Sequence, residues 1–169
     1  MSVAVVAHCD WSMEQKKRWM AVATKRGGRW YVQPELVGDT SNLFDRLRCR
    51  AVEPGSLLIG FDFPIGLPEA YARAVGLGSF REALKLFGTG IWSDWYSVAD
   101  HRDQISLHRP FYPTRPDGTA RAHLFEALGI SDASSLLRVC ERANADRQAA
   151  CMLFWTLGGN QVGKGAIWG

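Results

Sequence analysis

The sequence predicts an α/β fold in which a mixed sheet carries three antiparallel strands and one strand parallel to the first. Two short apolar runs, VAVVAHC over residues 3–9 and LLIGF over residues 57–61, are typical of buried strands. A helical pattern over residues 43–52 separates them. Because a helix crossover joins strands in parallel, we expect residues 57–61 to form a buried, central strand beside the first one.

A hairpin is predicted between the first strand and the helix. Residues 18–24 and 30–33 are apolar or β-prone, and RGGR at residues 26–29 supplies the glycines that a tight turn requires. Pro34 is expected to end the third strand, because proline has no N–H to give to a ladder. Residues 39–41 (DTS) then offer side chains that can accept bonds from the first turn of the helix.

Helical insertions are predicted to follow, between residues 68 and 150. Residues 69–75 and 80–87 read as two short helices, and residues 120–128 as a third. Ser131 or Asp132 is expected to cap a further helix that continues to Ala145 or beyond.

The composition is that of an ordinary globular chain and excludes several functional classes. The chain has 169 residues, of which 47% are hydrophobic and 22% charged, with a net charge of +3. This length suits one domain with a sizeable core, so we expect residues 1–169 to form a single domain. No apolar run approaches the about 20 residues of a membrane helix or forms a secretory leader, so we expect a cytoplasmic protein without a membrane partner. The four cysteines form no C-x-x-C pair, and neither a zinc site nor a disulfide framework is expected.

An aspartate follows each of the two apolar runs. Asp10 comes directly after residues 3–9, and Asp62 directly after residues 57–61. Parallel strands end at the same sheet edge, where α/β sheets bind ligands, so we expect both carboxylates to lie close together. Paired carboxylates suit Mg²⁺ or Mn²⁺, and Asp10 and Asp62 are therefore predicted to bind a metal and to be catalytic. The alternative is that each aspartate caps a strand end through backbone N–H groups.

A proline-rich loop carries a second group of candidates. His108 and Arg109 open the segment HRPFYPTRP at residues 108–116. Histidine titrates near neutrality and arginine binds phosphate in a bidentate fork, so both are predicted to contact substrate. The alternative is a rigid, exposed loop. Trp92 and Trp95 are expected to pack in the core rather than to stack on bases.

The segment GGNQVGKG at residues 158–165 matches the glycine–lysine part of a phosphate-binding loop. A glycine stands where the serine or threonine that holds magnesium is required, and too few residues follow for the helix that would face the phosphate. A nucleoside-triphosphatase is therefore not expected. Asn160 and Lys164 are predicted to contact a ligand, and a generic loop is the alternative.

Three segments carry a resemblance to a known family: AHCDWS at residues 7–12, IGFDFPIGLP at residues 59–68 and LGGNQVGK at residues 157–164. Together they resemble an uncharacterised bacterial family that is similar to the ribonuclease-H-like fold and is described as predicted nucleases. The chain resembles the N-terminal portion of such proteins. The resemblance implies that Asp10 and Asp62 occupy the strand positions that carry metal-binding carboxylates in active ribonuclease-H-like enzymes.

We therefore expect a metal-dependent nuclease or phosphodiesterase that acts on nucleic acid or a nucleotide, with Mg²⁺ or Mn²⁺ as cofactor. Ser12, in the turn after Asp10, is included among the expected substrate contacts. Active relatives of this fold carry a further carboxylate on a late helix, whereas no acidic residue follows Asp146. The alternative is a non-catalytic module of the same fold that binds a nucleotide or small anion. An actin-like phosphotransferase is a weaker third hypothesis, since that fold needs a duplicated domain and no internal repeat is visible.

Overall fold

The structure is a computed structural model that describes residues 2–158 and 162–169. The chain divides into two compact units: a sheet unit, which runs to Phe63 and includes Trp168 and Gly169, and an aromatic unit from Pro64 to Ile167. The strands are β1 (Val3–Asp10), β2 (Trp19–Arg26), β3 (Arg29–Leu36) and β4 (Ser56–Phe61). The helices are α1 (Leu43–Arg48), α2 (Glu69–Ala74), α3 (Phe80–Leu86), α4 (Ala122–Ala127) and α5 (Val162–Trp168).

The sheet unit is built on one mixed sheet with the strand order β3-β2-β1-β4. β1 pairs with β2 and β2 with β3 in antiparallel fashion, whereas β1 pairs with β4 in parallel. The glycines Gly27 and Gly28 of the β2–β3 turn both have positive φ, which is the conformation that this tight turn requires. The predicted α/β class, with three antiparallel strands and a fourth parallel to the first, is confirmed.

Two predictions about the strands are wrong. β4 is an edge strand of the described sheet rather than a central one, and none of its residues is fully buried, because it pairs with β1 alone. β3 does not end at Pro34 but continues to Leu36, and Pro34 pairs with Ala21. An edge strand tolerates proline, since half of its N–H groups face away from the ladder.

The two faces of the sheet differ. One face packs against α1, and its buried residues alternate along β1 and β2, as expected for a half-buried sheet. They are Val5, Ala7, Cys9, Met20 and Val22, joined by Val37, Leu43 and Leu47. The opposite face, called the open face, includes His8 and Asp10 of β1, which are exposed.

Short helices and loops make up the aromatic unit. α2, α3 and α4 lie where the sequence predicts helices. The predicted long helix after Ser131 is wrong: two 3₁₀ turns, Ala133–Leu136 and Val139–Glu141, take its place. Asp132 caps the first turn by accepting a bond from the Ser135 N–H, so the capping signal was right although the helix is short.

Aromatic rings fill the core of this unit. Phe87 and Trp95 stack with their centroids 3.7 Å apart, and Phe154 packs edge-on against Tyr71 and Phe111 at 4.6 and 5.3 Å. Burial raises the pKa of Tyr71 far above its usual range, and its hydroxyl donates to the Leu107 carbonyl at 2.5 Å. The expectation that the tryptophans pack in a core is confirmed for Trp92 and Trp95.

Within the described residues, every helix is too short or too polar to traverse a lipid bilayer.

Candidate functional site

The carboxyl ends of β1 and β4 lie side by side. Cys9 pairs with Phe61 in the parallel ladder, and one residue further on the Asp62 N–H donates to the Cys9 carbonyl at 3.2 Å. Asp10 is the last residue of β1, and Asp62 directly follows β4. Since neighbouring strands are about 4.8 Å apart, the two aspartates occupy adjacent strand ends.

The Asp62 carboxylate is held by the backbone. Its Oδ1 accepts a hydrogen bond of 2.7 Å from the Trp11 N–H, in the turn that follows β1. This bond is the strand-end cap that the sequence offered as the alternative to metal binding, and it engages one oxygen of the two. The Asp10 carboxylate is exposed and has neither a hydrogen bond nor an ion pair within the described part of the chain. Three carboxylate oxygens therefore remain available for a ligand.

An aromatic cluster supports this turn. The Trp11 ring packs edge-on against Phe61 and Phe63, with centroid distances of 5.7 and 5.2 Å. The Arg18 guanidinium lies 4.2 Å from the centroid of the Trp11 ring, and the Trp11 Nε1–H donates to the Trp168 carbonyl at 2.6 Å. Because the Trp11 ring is held from several sides, the backbone N–H of Trp11 is also fixed in place. The hydrogen bond from this N–H in turn fixes the rotamer of Asp62.

Ser12 lies in the same turn and is tied to it at two atoms. Its Oγ accepts a bond of 3.3 Å from the Glu14 N–H, and its carbonyl accepts one of 2.7 Å from the Arg18 Nε–H. The hydroxyl thus shapes the turn, and its own proton has no acceptor in the described part of the chain.

His8 belongs to the same face and was not among the residues predicted for the site. It stands two residues before Asp10 and is exposed. A Cβ on Gly60, the residue opposite it on β4, would approach the His8 Cδ2 to 3.3 Å, so glycine leaves room for the imidazole. The alternation of side chains along β1 is the signal that identifies His8.

The donor set limits which metals the site can hold. Within the described residues, no group of three or more His, Cys, Asp and Glu side chains is placed to ligate one ion. Cys9 points to the buried face, where burial, and then the nearby Asp62 charge, raise the pKa of its thiol and keep it protonated. Two carboxylates suit Mg²⁺ or Mn²⁺, which are bound by one or two carboxylates together with water and phosphate oxygens. They do not form an all-protein cage.

His108 and Arg109 belong to the aromatic unit and are engaged within it. The His108 ring packs edge-on against Trp92 at 4.5 Å, and the Arg109 Nη2–H donates to the Val98 carbonyl at 2.8 Å. The Arg109 Nε is buried without a partner in the described part of the chain. Both side chains are half-buried, and both have a packing role in the loop.

Lys164 is exposed within α5 of the aromatic unit. A short helix, α5 (Val162–Trp168), begins within the glycine-rich segment rather than after it, and four residues follow Gly165, as expected from the sequence. Asn160 lies outside the described residues. Asp10, Asp62 and Ser12 thus lie at or next to the adjacent ends of β1 and β4 in the sheet unit, whereas His108, Arg109 and Lys164 belong to the aromatic unit.

No protein-family model, curated protein or solved structure matches the chain.

Proposed function

We propose that the chain is a metal-dependent phosphodiesterase or nuclease whose centre is the pair Asp10 and Asp62. The observation that carries this proposal is the parallel pairing of β1 and β4, which puts a carboxylate at each of two adjacent strand ends. Carboxylates at neighbouring strand ends can share one hard cation, and a cation with open positions can take up a phosphate.

The strand order supports a ribonuclease-H-like fold as part of the same proposal. An antiparallel β1-β2-β3 meander, a helix and a fourth strand parallel to β1 are what the sequence resemblance implies. The segments around Asp10 and Asp62 are two of the three that carry the resemblance.

The chain's own residues would each take a defined part. Asp10 and Asp62 would hold Mg²⁺ or Mn²⁺, while the Trp11 backbone N–H keeps the Asp62 carboxylate oriented through Oδ1. The Ser12 hydroxyl would donate to a phosphate oxygen. The bound metal would activate water and offset charge on the phosphate.

We expect Mn²⁺ binding to depend on both aspartates. Asp10→Asn and Asp62→Asn remove a charge but keep the side-chain shape, and the amide oxygen introduced at position 62 can still accept the Trp11 bond, so the fold is preserved. Each change should weaken Mn²⁺ binding by about tenfold or more in calorimetric titration. Hydrolysis of a labelled oligonucleotide should be lost in both variants and in EDTA.

The matched control is Asp45→Asn. Asp45 lies on α1 in the same unit, and it pairs with Arg48 rather than with the strand ends. The Asp45→Asn variant loses the same charge as the two site variants but leaves Asp10 and Asp62 intact. Its Mn²⁺ affinity should therefore equal that of the wild type. Unchanged Mn²⁺ affinity in Asp62→Asn would contradict the proposed function.

A second candidate function is a non-catalytic module of the same fold that binds a nucleotide or small anion. The bond from the Trp11 N–H to Asp62 favours it, because a capping aspartate needs no metal. The donor set also favours it, since no third ligating side chain joins the two aspartates in the described residues. Nucleotide binding that is equal with and without EDTA, with no turnover, would select this function.

A further inference from the structure

The open face of the sheet is not covered at its centre. Ala21 of β2 and Pro34 of β3 pair with each other in the middle of this face, and both are exposed. By the register, His8 stands opposite Ala21, and Asp10 stands opposite Trp19. The face therefore leads directly to the Asp10 end of the candidate site.

Two tryptophans lie at opposite ends of this surface. Trp19 is 49% exposed and Trp30 is 45% exposed, which is unusual for so large an apolar side chain. Trp19 begins β2, whereas Trp30 pairs with Lys25 near the β2–β3 turn. Six residues of strand separate Trp19 from Lys25, a distance of about 20 Å.

The charge on this part of the sheet is positive. Residues 19–34 contain three basic residues, Lys25, Arg26 and Arg29, and no acidic one, whereas Glu35 of β3 pairs with Arg50. Lys25 lies on the open face, whereas the Arg26 guanidinium lies 5.9 Å from the centroid of the Tyr31 ring on the opposite face. Arg29 flanks the turn, and none of the three has an ion pair among residues 2–158 and 162–169. One carboxylate lies near the turn, since the Glu53 Oε1 accepts from the Gly28 N–H at 3.4 Å. The turn therefore keeps an excess of positive charge.

We infer that the open face binds single-stranded nucleic acid, whose bases stack on Trp30 and Trp19 and whose phosphates contact Lys25. Exposed aromatic rings combined with basic side chains are the usual means of holding a single strand, because every base has a face that can stack. An apolar face alone would also fit a protein, but Lys25, which pairs with Trp30, and the positive charge of the adjoining turn favour a polyanion. This inference rests on the proposed function, since it names the substrate and the path by which it reaches Asp10.

The test is a binding assay without metal. A fluorescein-labelled single-stranded DNA of about 15 thymidines is titrated with the full chain in EDTA, and anisotropy is recorded. Trp30→Ala should raise the Kd by about tenfold, the effect expected for the loss of one stacked base. Lys25→Ala should also lower the slope of log Kd against log salt by about 0.7, the value for one lost phosphate contact on a single strand.

Matched controls use neighbouring side chains that do not lie on this face. Tyr31 is 52% exposed, and alternation places it on the opposite face to Trp30, so Tyr31→Ala should leave the Kd within about twofold of the wild type. Lys16 lies beside Glu14 outside the sheet, and Lys16→Ala should not change the salt slope.

The inference fails if Trp30→Ala and Lys25→Ala bind like the wild type, and two further outcomes would also overturn it. One is a Kd that rises as much in Tyr31→Ala as in Trp30→Ala. The other is a chain that does not bind the oligonucleotide but self-associates in sedimentation, with Trp30→Ala weakening that association, which would identify the face as a protein interface.

Asp62→Asn separates this inference from the proposed function. If both hold, this variant loses hydrolysis and Mn²⁺ binding yet binds the oligonucleotide in EDTA as the wild type does. If hydrolysis needs Asp62 while Trp30→Ala and Lys25→Ala bind like the wild type, the proposed function stands and the open face is not the binding surface.

Discussion

In the sheet unit, buried and exposed side chains alternate along β1 and β2, whereas the aromatic unit collects its buried side chains from short helices and loops. The sheet unit is positioned by backbone pairing, so residues that are distant in sequence, such as Asp10 and Asp62, reach adjacent places. The aromatic unit has little regular structure and depends on ring packing. The candidate site therefore lies where backbone pairing fixes the geometry, while the larger apolar core belongs to the aromatic unit.

The largest effect on stability is expected in the aromatic core. Phe154 is fully buried between Tyr71 and Phe111, so Phe154→Ala should lower the free energy of unfolding by about 3–5 kcal/mol. Urea denaturation followed by tryptophan fluorescence measures this loss. Ile91 is 73% exposed, and the control Ile91→Ala should stay within about 0.5 kcal/mol of the wild type. Equal losses in both variants would show that ring packing does not stabilise this unit.

A smaller effect is expected in the sheet unit. Leu47 is fully buried beneath the sheet on α1, and Leu47→Ala should cost about 2–3 kcal/mol, because a helix of six residues can partly close the gap. The same urea denaturation measures it. Phe44 of the same helix is 46% exposed, and Phe44→Ala is the control, with a smaller loss. If Leu47→Ala costs more than Phe154→Ala, the sheet unit rather than the aromatic core is the more sensitive part of the molecule.

The smallest effect is expected at an exposed cap of the aromatic unit. Bonds from the Ser134 hydroxyl and from the Ser135 N–H lower the pKa of Asp132 from 3.8 to about 2. A lowered pKa in the folded state stabilises the fold above the unfolded value, and this contribution is lost as the pH falls from about 4 to about 2. Asp132→Asn should therefore lose less stability over that range than the wild type.

The measurement for Asp132 is the free energy of unfolding in urea at several pH values. Asp117→Asn removes the charge of another exposed aspartate in the same unit and is the control for the loss of a charge alone. If Asp132→Asn shows the same pH dependence as the wild type, the cap does not contribute through its charge.

Regular elements were predicted where local pattern decides them. The two apolar runs, the glycine turn and the crossover helix yielded the correct strand directions, and α2, α3 and α4 lie where they were expected. The strand that follows the turn was cut short at Pro34, because the sequence does not reveal that β3 is an edge strand. The prediction of a helix after Ser131 was wrong for a related reason. Leu136 and Leu137 do reach the aromatic core, but a 3₁₀ turn and the chain next to it place them there, not one face of an α-helix.

The candidate site was predicted in part. The pairing of Asp10 with Asp62 follows from strand ends, whereas the bond from the Trp11 N–H to Asp62 depends on a turn whose shape no spacing rule specifies. His8 was not among the predicted site residues, although alternation along β1 puts it on the face of Asp10; the structure adds that Gly60 lies opposite it and leaves room for its ring.

By itself, the sequence determined the α/β class, the strand directions and the two aspartates at strand ends, because apolar periodicity and turn residues act locally. Only the tertiary structure decided which strands lie at the edge, which face of the sheet stays open and how Asp62 is held. Those features depend on contacts between residues that are far apart in the chain, and their energies are not encoded in any single segment.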